Sequence, residues 1–177
     1  MLEGGADGPY THEELWPRNI IEAHNRINEQ QKIKAEKQYI EGFENNAKAY
    51  AGLTYTDGDL CIRVAQTQQE LIDEGSTLRH CVGNYGKKHC SGSDVIFFVR
   101  RYRRPERSYY TLDINFLGAV PHEVQLHGYG NEHHGEYKEY SHSIPDKVRK
   151  FCDKWEKEIL IPWSREQMKN KTEAKTA

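Results

Sequence analysis

Three runs of strand composition, Val95–Val99, Tyr109–Ile114 and Glu123–His127, follow one another closely in this chain. Their β-branched and aromatic residues predict an antiparallel meander. In the last two runs the side chains alternate, with Tyr110, Leu112 and Ile114 on one face and Tyr109, Thr111 and Asp113 on the other, as expected for a sheet covered on one side. Ahead of them, Leu53–Thr56 and Leu60–Val64 read as two short strands around Asp57-Gly58, because Asp-Gly readily supplies positive φ. Helices frame the meander. Thr67-Gln68-Gln69-Glu70 is a capping box, Leu71 and Ile72 give that helix an apolar side, and Gly75 is expected to end it. Pro145 to Leu160 reads as a closing helix, capped near Ser143, with Val148, Phe151, Cys152, Trp155 and Ile159 on one stripe and Pro162 as its stop. Pro17 to Tyr50 predicts one long helix or two, polar around Asn28 to Lys37. The expected fold is α+β, a small antiparallel sheet of four or five strands packed against helices, with a long N-terminal helix.

With 177 residues the chain suits a single principal domain. The expected organisation is a flexible segment over 1–16, a helical region over 17–51, the α+β domain over 52–163 and a flexible tail over 164–177. The sequence lacks a secretory h-region and a run of about 18 apolar residues, so cytoplasmic residence without membrane insertion is expected. Cys61, Cys81, Cys90 and Cys152 are then expected to be reduced thiols. The net charge of −2 conceals an asymmetry: Arg79 to Arg107 holds eight Lys or Arg residues against Asp94 and Glu106, a local balance of about +6. Such a region suits an anionic partner.

The stretch Leu78-Arg79-His80-Cys81-Val82-Gly83-Asn84-Tyr85 sets a cysteine beside a histidine just beyond a helix. If Val82–Tyr85 opens a second helix, a Cys81 thiolate stands at its positive end. The alternative is that Cys81 is a small buried hydrophobe between two elements. As a thiol nucleophile, Cys81 needs a base. His80 belongs to the candidate set, but neighbouring side chains diverge. A partner arriving from the sheet, His127 or His122, is better placed, with Gln125 or Asn131 donating to an oxyanion. A metal site from His80, Cys81, His89 and Cys90 is disfavoured, because adjacent ligands rarely serve one ion and the Cys-x2-Cys knuckle is missing. The His133-His134 pair with His142 reads as a solvated loop. No cofactor is expected.

A further candidate is the basic run Arg100-Arg101-Tyr102-Arg103-Arg104-Pro105-Glu106-Arg107, followed by Tyr109 and Tyr110, read as the loop joining two strands. Guanidinium groups there can pair with phosphates while tyrosines stack on unpaired bases. A solvated hairpin that discourages edge aggregation is the bland account. The long polar helix and exposed aromatics would also suit a protein-interaction module.

In order along the chain, Glu70-Leu71-Ile72-Asp73-Glu74-Gly75, Leu78–Tyr85, Ile96–Arg100, Tyr110–Ile114 and Val124–Gly128 with Asn131 resemble the PcfJ-like family of conjugative-element and phage proteins. Weaker echoes are Pro17 and Ala23-His24-Asn25. The likeness covers Leu60 to Asn131 well and the N-terminal helical region loosely. It departs after Gly128, where Tyr129 intervenes and Glu132-His133-His134-Gly135 follows. The chain is short for the family, so an additional N-terminal domain is expected to be absent. The resemblance implies an accessory protein of a bacterial mobile element or phage and hands over no secure activity. The favoured reading is that this protein binds nucleic acid or a partner protein complex. The alternative is a cysteine-dependent hydrolase or transferase using Cys81 with a histidine base.

Overall fold

A computed structural model describes residues 20–118, 120–130 and 144–176. The chain divides into two units, Met1–Gln38 and Tyr39–Ala177. Helix α1 (Ile20–Ala49) begins in the first, and only its part from Tyr39 belongs to the unit that carries the sheet. Of the long N-terminal helix expected from Pro17, only the stretch from Tyr39 to Ala49 lies in the sheet-bearing unit. Asn28 to Lys37 lie in the first unit.

The second unit is built on a five-stranded antiparallel sheet in strand order β1-β2-β3-β4-β5. Its strands are β1 (Tyr55–Asp57), β2 (Leu60–Val64), β3 (Asp94–Arg101), β4 (Tyr110–Asn115) and β5 (His122–His127). The expected α+β architecture is the observed one. Asp57 pairs with Leu60, so the β1–β2 turn is Gly58-Asp59, with Gly58 at φ +60°, a value glycine reaches without steric cost. Leu53 lies in a 3-10 turn (Ala51–Leu53) and not in the strand.

One face of the sheet carries Ile62, Val64, Val95, Phe97, Val99, Leu112, Ile114 and Leu126. Helix α4 (Asp146–Trp155) covers it with Val148, Phe151, Cys152 and Trp155, the spacing that puts side chains on one helical stripe. The Trp155 indole N–H donates to the Leu53 carbonyl at 2.8 Å. Pro162 does not end the helical run. A π-turn (Glu156–Leu160), in which the Ile161 N–H reaches the Glu156 carbonyl, leads into helix α5 (Ile161–Thr176). The widened turn gives the proline ring the room that a regular turn denies.

The opposite face is also covered, which corrects the one-sided sheet expected from alternation. Helix α2 (Gln68–Leu78), a 3-10 turn (Cys81–Asn84) and helix α3 (Gly86–Ser91) lie over it. Phe43, Ala65, Leu71, Val82, Ile96 and Phe98 form a second apolar cluster there. Thr111 and Asp113 are consequently buried. The Thr67 half of the capping box is present, the Glu70 N–H donating to Thr67 Oγ1 at 3.1 Å, while the Glu70 carboxylate accepts from the Gln66 N–H at 2.8 Å instead of from the Thr67 N–H. Gly75 does not terminate α2. The left-handed cap is Arg79, at φ 57°. Gly75 is instead a point of close approach, since a Cβ on it would stand 2.8 Å from the His80 carbonyl oxygen and 3.1 Å from the Gly83 nitrogen. A glycine there lets the His80–Gly83 backbone lie directly on α2.

Candidate functional site

On the second face, successive strands bring polar side chains into one row. Register pairs Thr111 with His127 and Asp113 with Gln125, and opposed residues in an antiparallel pair share a face. Asp113 pairs with Gln125 and Ile114 with Glu123, so Val124 is the extra residue of a bulge in β5, a device that re-aims neighbouring side chains. Over this row runs the turn that follows α2. The result is a small cleft of about 30 Å³ lined by His80, Cys81, Val82, Tyr85, Ile96, Thr111, Asp113, Gln125 and His127.

Four residues singled out in the sequence thus meet at one cleft: Cys81, His80, His127 and Gln125. His122 sits at the far end of β5, opposite Asn115, and does not line it. Asn131 lies outside the described residues. Just before it, the Gly130 N–H donates to the Leu78 carbonyl at 2.7 Å and the Arg79 guanidinium lies 5.3 Å from the Tyr129 ring centroid. The chain leaving β5 is thereby tied to the end of α2. Cys81 opens the 3-10 turn and is exposed, which removes its reading as a small buried hydrophobe.

Behind the cleft stands a buried network the sequence reading did not foresee. Glu74, 1% exposed, receives Arg100 Nη1 at 2.9 Å and Nη2 at 2.6 Å, Ser108 Oγ at 2.5 Å and Thr111 Oγ1 at 2.8 Å. A carboxylate only accepts, so Thr111 spends its single hydroxyl hydrogen on Glu74. At 3.2 Å from His80 Nε2, the Thr111 oxygen must then accept, which assigns the His80 proton to Nε2. His80 is therefore held by the sheet, edge-on to His127 with ring centroids 6.2 Å apart. Burial pushes its pKa below the usual histidine value, partly opposed by the Glu74 charge, so the ring is neutral at pH 7.

Asp113 is the second residue missed. It is 4% exposed, and its Oδ1 has no hydrogen-bond partner among the described residues. Burial, reinforced by the Asp94 charge and offset by Lys88, pushes its pKa up to about 7. Tyr85 completes the cleft wall, and its hydroxyl is raised by burial first, then by Cys81 and Asp113 beside it. A signal for this burial was present in the sequence. Val95–Val99 is apolar without alternation, the mark of a strand covered on both faces.

The other sequence candidates separate. Arg100 is a strand residue, 5% exposed and paired with Glu74, and not part of a solvated loop, because its guanidinium is the buried carboxylate's counter-charge. Arg101, Arg103, Arg104 and Arg107 are exposed and line one concavity with Asp59, Ser108 and Tyr109. Arg101 stacks on Tyr109 at 4.8 Å. His89 is buried, stacked on Phe43 at 4.6 Å, with Nδ1 accepting the Ile96 N–H at 3.1 Å, while Cys90 Sγ donates to the Tyr39 carbonyl. Neither reaches Cys81. Among the described residues no three His, Cys, Asp or Glu side chains are grouped to hold a metal ion, and no helix is long and apolar enough to cross a membrane.

Fold and site together define an α+β domain with a cysteine-histidine cleft between a five-stranded sheet and the turn after its first covering helix. The chain belongs to the PcfJ-like protein family, whose model matches residues 10–145, a span that includes every residue of the cleft. It is 32% identical over 104 residues to the uncharacterized protein Lin1253/Lin1744 of Listeria innocua serovar 6a, a stretch covering 56% of this chain and 22% of that protein. The chain thus corresponds to a minor part of that relative's length. No solved structure matches.

Proposed function

We propose that this protein is a cysteine-dependent enzyme, a hydrolase or acyl transferase, in which Cys81 attacks an electrophilic carbonyl and His127 takes its proton. The observation that carries the reading is the meeting of Cys81, His127 and Gln125 at one cleft, from a turn and a strand far apart in the chain. His127 arrives from the opposite side of the cleft, as a base for a thiol must. Gln125, exposed at the mouth, offers its amide N–H groups to the oxyanion. His80, with Nε2 committed to Thr111, positions the turn and is not the base.

The test is acylation of the folded protein by p-nitrophenyl acetate, mapped by mass spectrometry. Acetyl is expected on Cys81, since Cys152 is buried with its thiol pushed up to about 12 and burial also raises Cys61 and Cys90. His127→Asn is expected to slow Cys81 acylation by about 10²-fold. A Cys81 that acylates at the rate of an ordinary exposed thiol, indifferent to His127, sinks the enzyme reading.

A second reading has its own support in the four exposed arginines around one concavity. With Tyr109 as a stacking surface, they suit the backbone of a single-stranded nucleic acid, the activity of an accessory protein of a mobile element or phage acting in the bacterial cytoplasm. Replacing Arg101, Arg103 and Arg104 with Ala is expected to weaken binding of a labelled oligonucleotide and to flatten its salt slope by about 0.7 per lost phosphate contact. An unchanged slope in a fluorescence-anisotropy salt series would reject this surface.

A further inference from the structure

The buried carboxyl of Asp113 lines the cleft, and its Oδ1 has no hydrogen-bond partner among the described residues. An unpaired acceptor in such a place costs stability, and a ligand group that pairs with it would remove that cost. Gln125 faces Asp113 directly across the β4–β5 ladder, so an acid and a primary amide line the same wall. The cleft they line together with Cys81 and His127, about 30 Å³, has room for one or two water-sized groups, the size of an unsubstituted amino group.

We infer that Asp113 is the acid that protonates an ammonia leaving group, and that the substrate of the Cys81 cleft is a primary carboxamide. This rests on the thiol-enzyme reading and names its substrate class. The thiol proton passes to His127 as the Cys81 sulfur bonds to the carboxamide carbon, and the oxyanion is held by Gln125. The carbon–nitrogen bond then breaks as the nitrogen takes the Asp113 proton and departs as ammonia, leaving a thioester on Cys81. Water adds to the thioester, one of its protons returning to Asp113, and the sulfur leaves with the proton held by His127. The sum is carboxamide plus water to carboxylic acid plus ammonia. The environment suits an acid at neutral pH: burial and Asp94 on β3 favour the protonated form and Lys88 on α3 opposes it, while Tyr85 stands beside the same carboxyl and Cys81 lines the same cleft.

The experiment compares ammonia release from N-acetylglutamine, turnover of its N-methylated side-chain amide, and hydrolysis of p-nitrophenyl acetate, whose leaving group departs without a proton. The wild-type protein is expected to release ammonia from the primary amide and to leave the N-methyl amide untouched. In Asp113→Asn, of nearly the same shape, the ratio of amide to ester turnover is expected to fall by about 10²-fold or more. An unchanged ratio overturns the assignment of Asp113. Equal turnover of primary and N-methyl amides in the wild type, or acylation of Cys81 by the ester with no ammonia from the carboxamide, overturns the substrate class while the thiol enzyme stands. Failure of Cys81 to acylate with any of them removes the thiol reading and this inference together.

Discussion

Glu74→Gln is expected to destabilise the protein by about 3–5 kcal/mol and to release the His80 ring. The substitution keeps the shape of the side chain and removes its charge, so the Arg100 guanidinium, 5% exposed, remains buried without its counter-charge. The size of the effect comes from that stranded cation. It does not measure the net worth of the pair, because burying both ions in the first place cost much of what their attraction returns. Removing both charges therefore costs less: Glu74→Leu combined with Arg100→Met is expected to recover most of the loss. Urea denaturation of the single and double variants measures this directly. A single variant within about 1 kcal/mol of wild type would mean that Arg100 is solvated or paired elsewhere. The same exchange reaches the cleft, since Thr111 donates to Glu74 and accepts from His80. Nitrogen NMR of the His80 ring is expected to report Nε2 protonation in the wild type and a mixed tautomer in the variant.

Trp155→Ala is expected to cost about 3–5 kcal/mol, for a different reason and on the other face of the sheet. Trp155 is fully buried, packs on Phe97 with ring centroids 5.2 Å apart and satisfies the Leu53 carbonyl. Truncation leaves a cavity in a close-packed layer and deprives that carbonyl of its donor. Because the cleft is built on the opposite face, acylation of Cys81 in the fraction still folded is expected to match wild type. A Cys81 rate that falls with Trp155→Ala would show that the two layers communicate through the sheet.

Much of the frame was legible because it rests on local spacing. The meander strands, the Thr67 N-cap and the apolar stripe of α4 follow from periodicity and capping within a few residues, and each stands where the sequence indicated. Gly75 and Pro162 were read by their usual local roles, and packing overrode both. For Gly75 the deciding contact is the backbone of His80 and Gly83; for Pro162 it is the π-turn before it. The cleft was half legible. A reactive thiol and a polar strand end announce themselves by residue type, so Cys81, His127 and Gln125 were named. Asp113 and Thr111 were not, because alternation alone cannot distinguish a polar residue facing water from one facing a second covering layer, and Arg100 was read as part of a solvated basic loop.

The sequence by itself determined the β1–β2 hairpin, the antiparallel meander of β3, β4 and β5, the α+β class and the membership of Cys81 in a distinctive turn. These depend on side-chain direction and turn chemistry, which neighbours along the chain dictate. Only the tertiary structure decided that Arg100 answers Glu74, that His80 takes its proton orientation from Thr111 and that the Asp113 carboxyl is buried at the cleft. Those outcomes depend on which distant groups share a space from which water is removed, and the energy of a polar side chain changes most at that step.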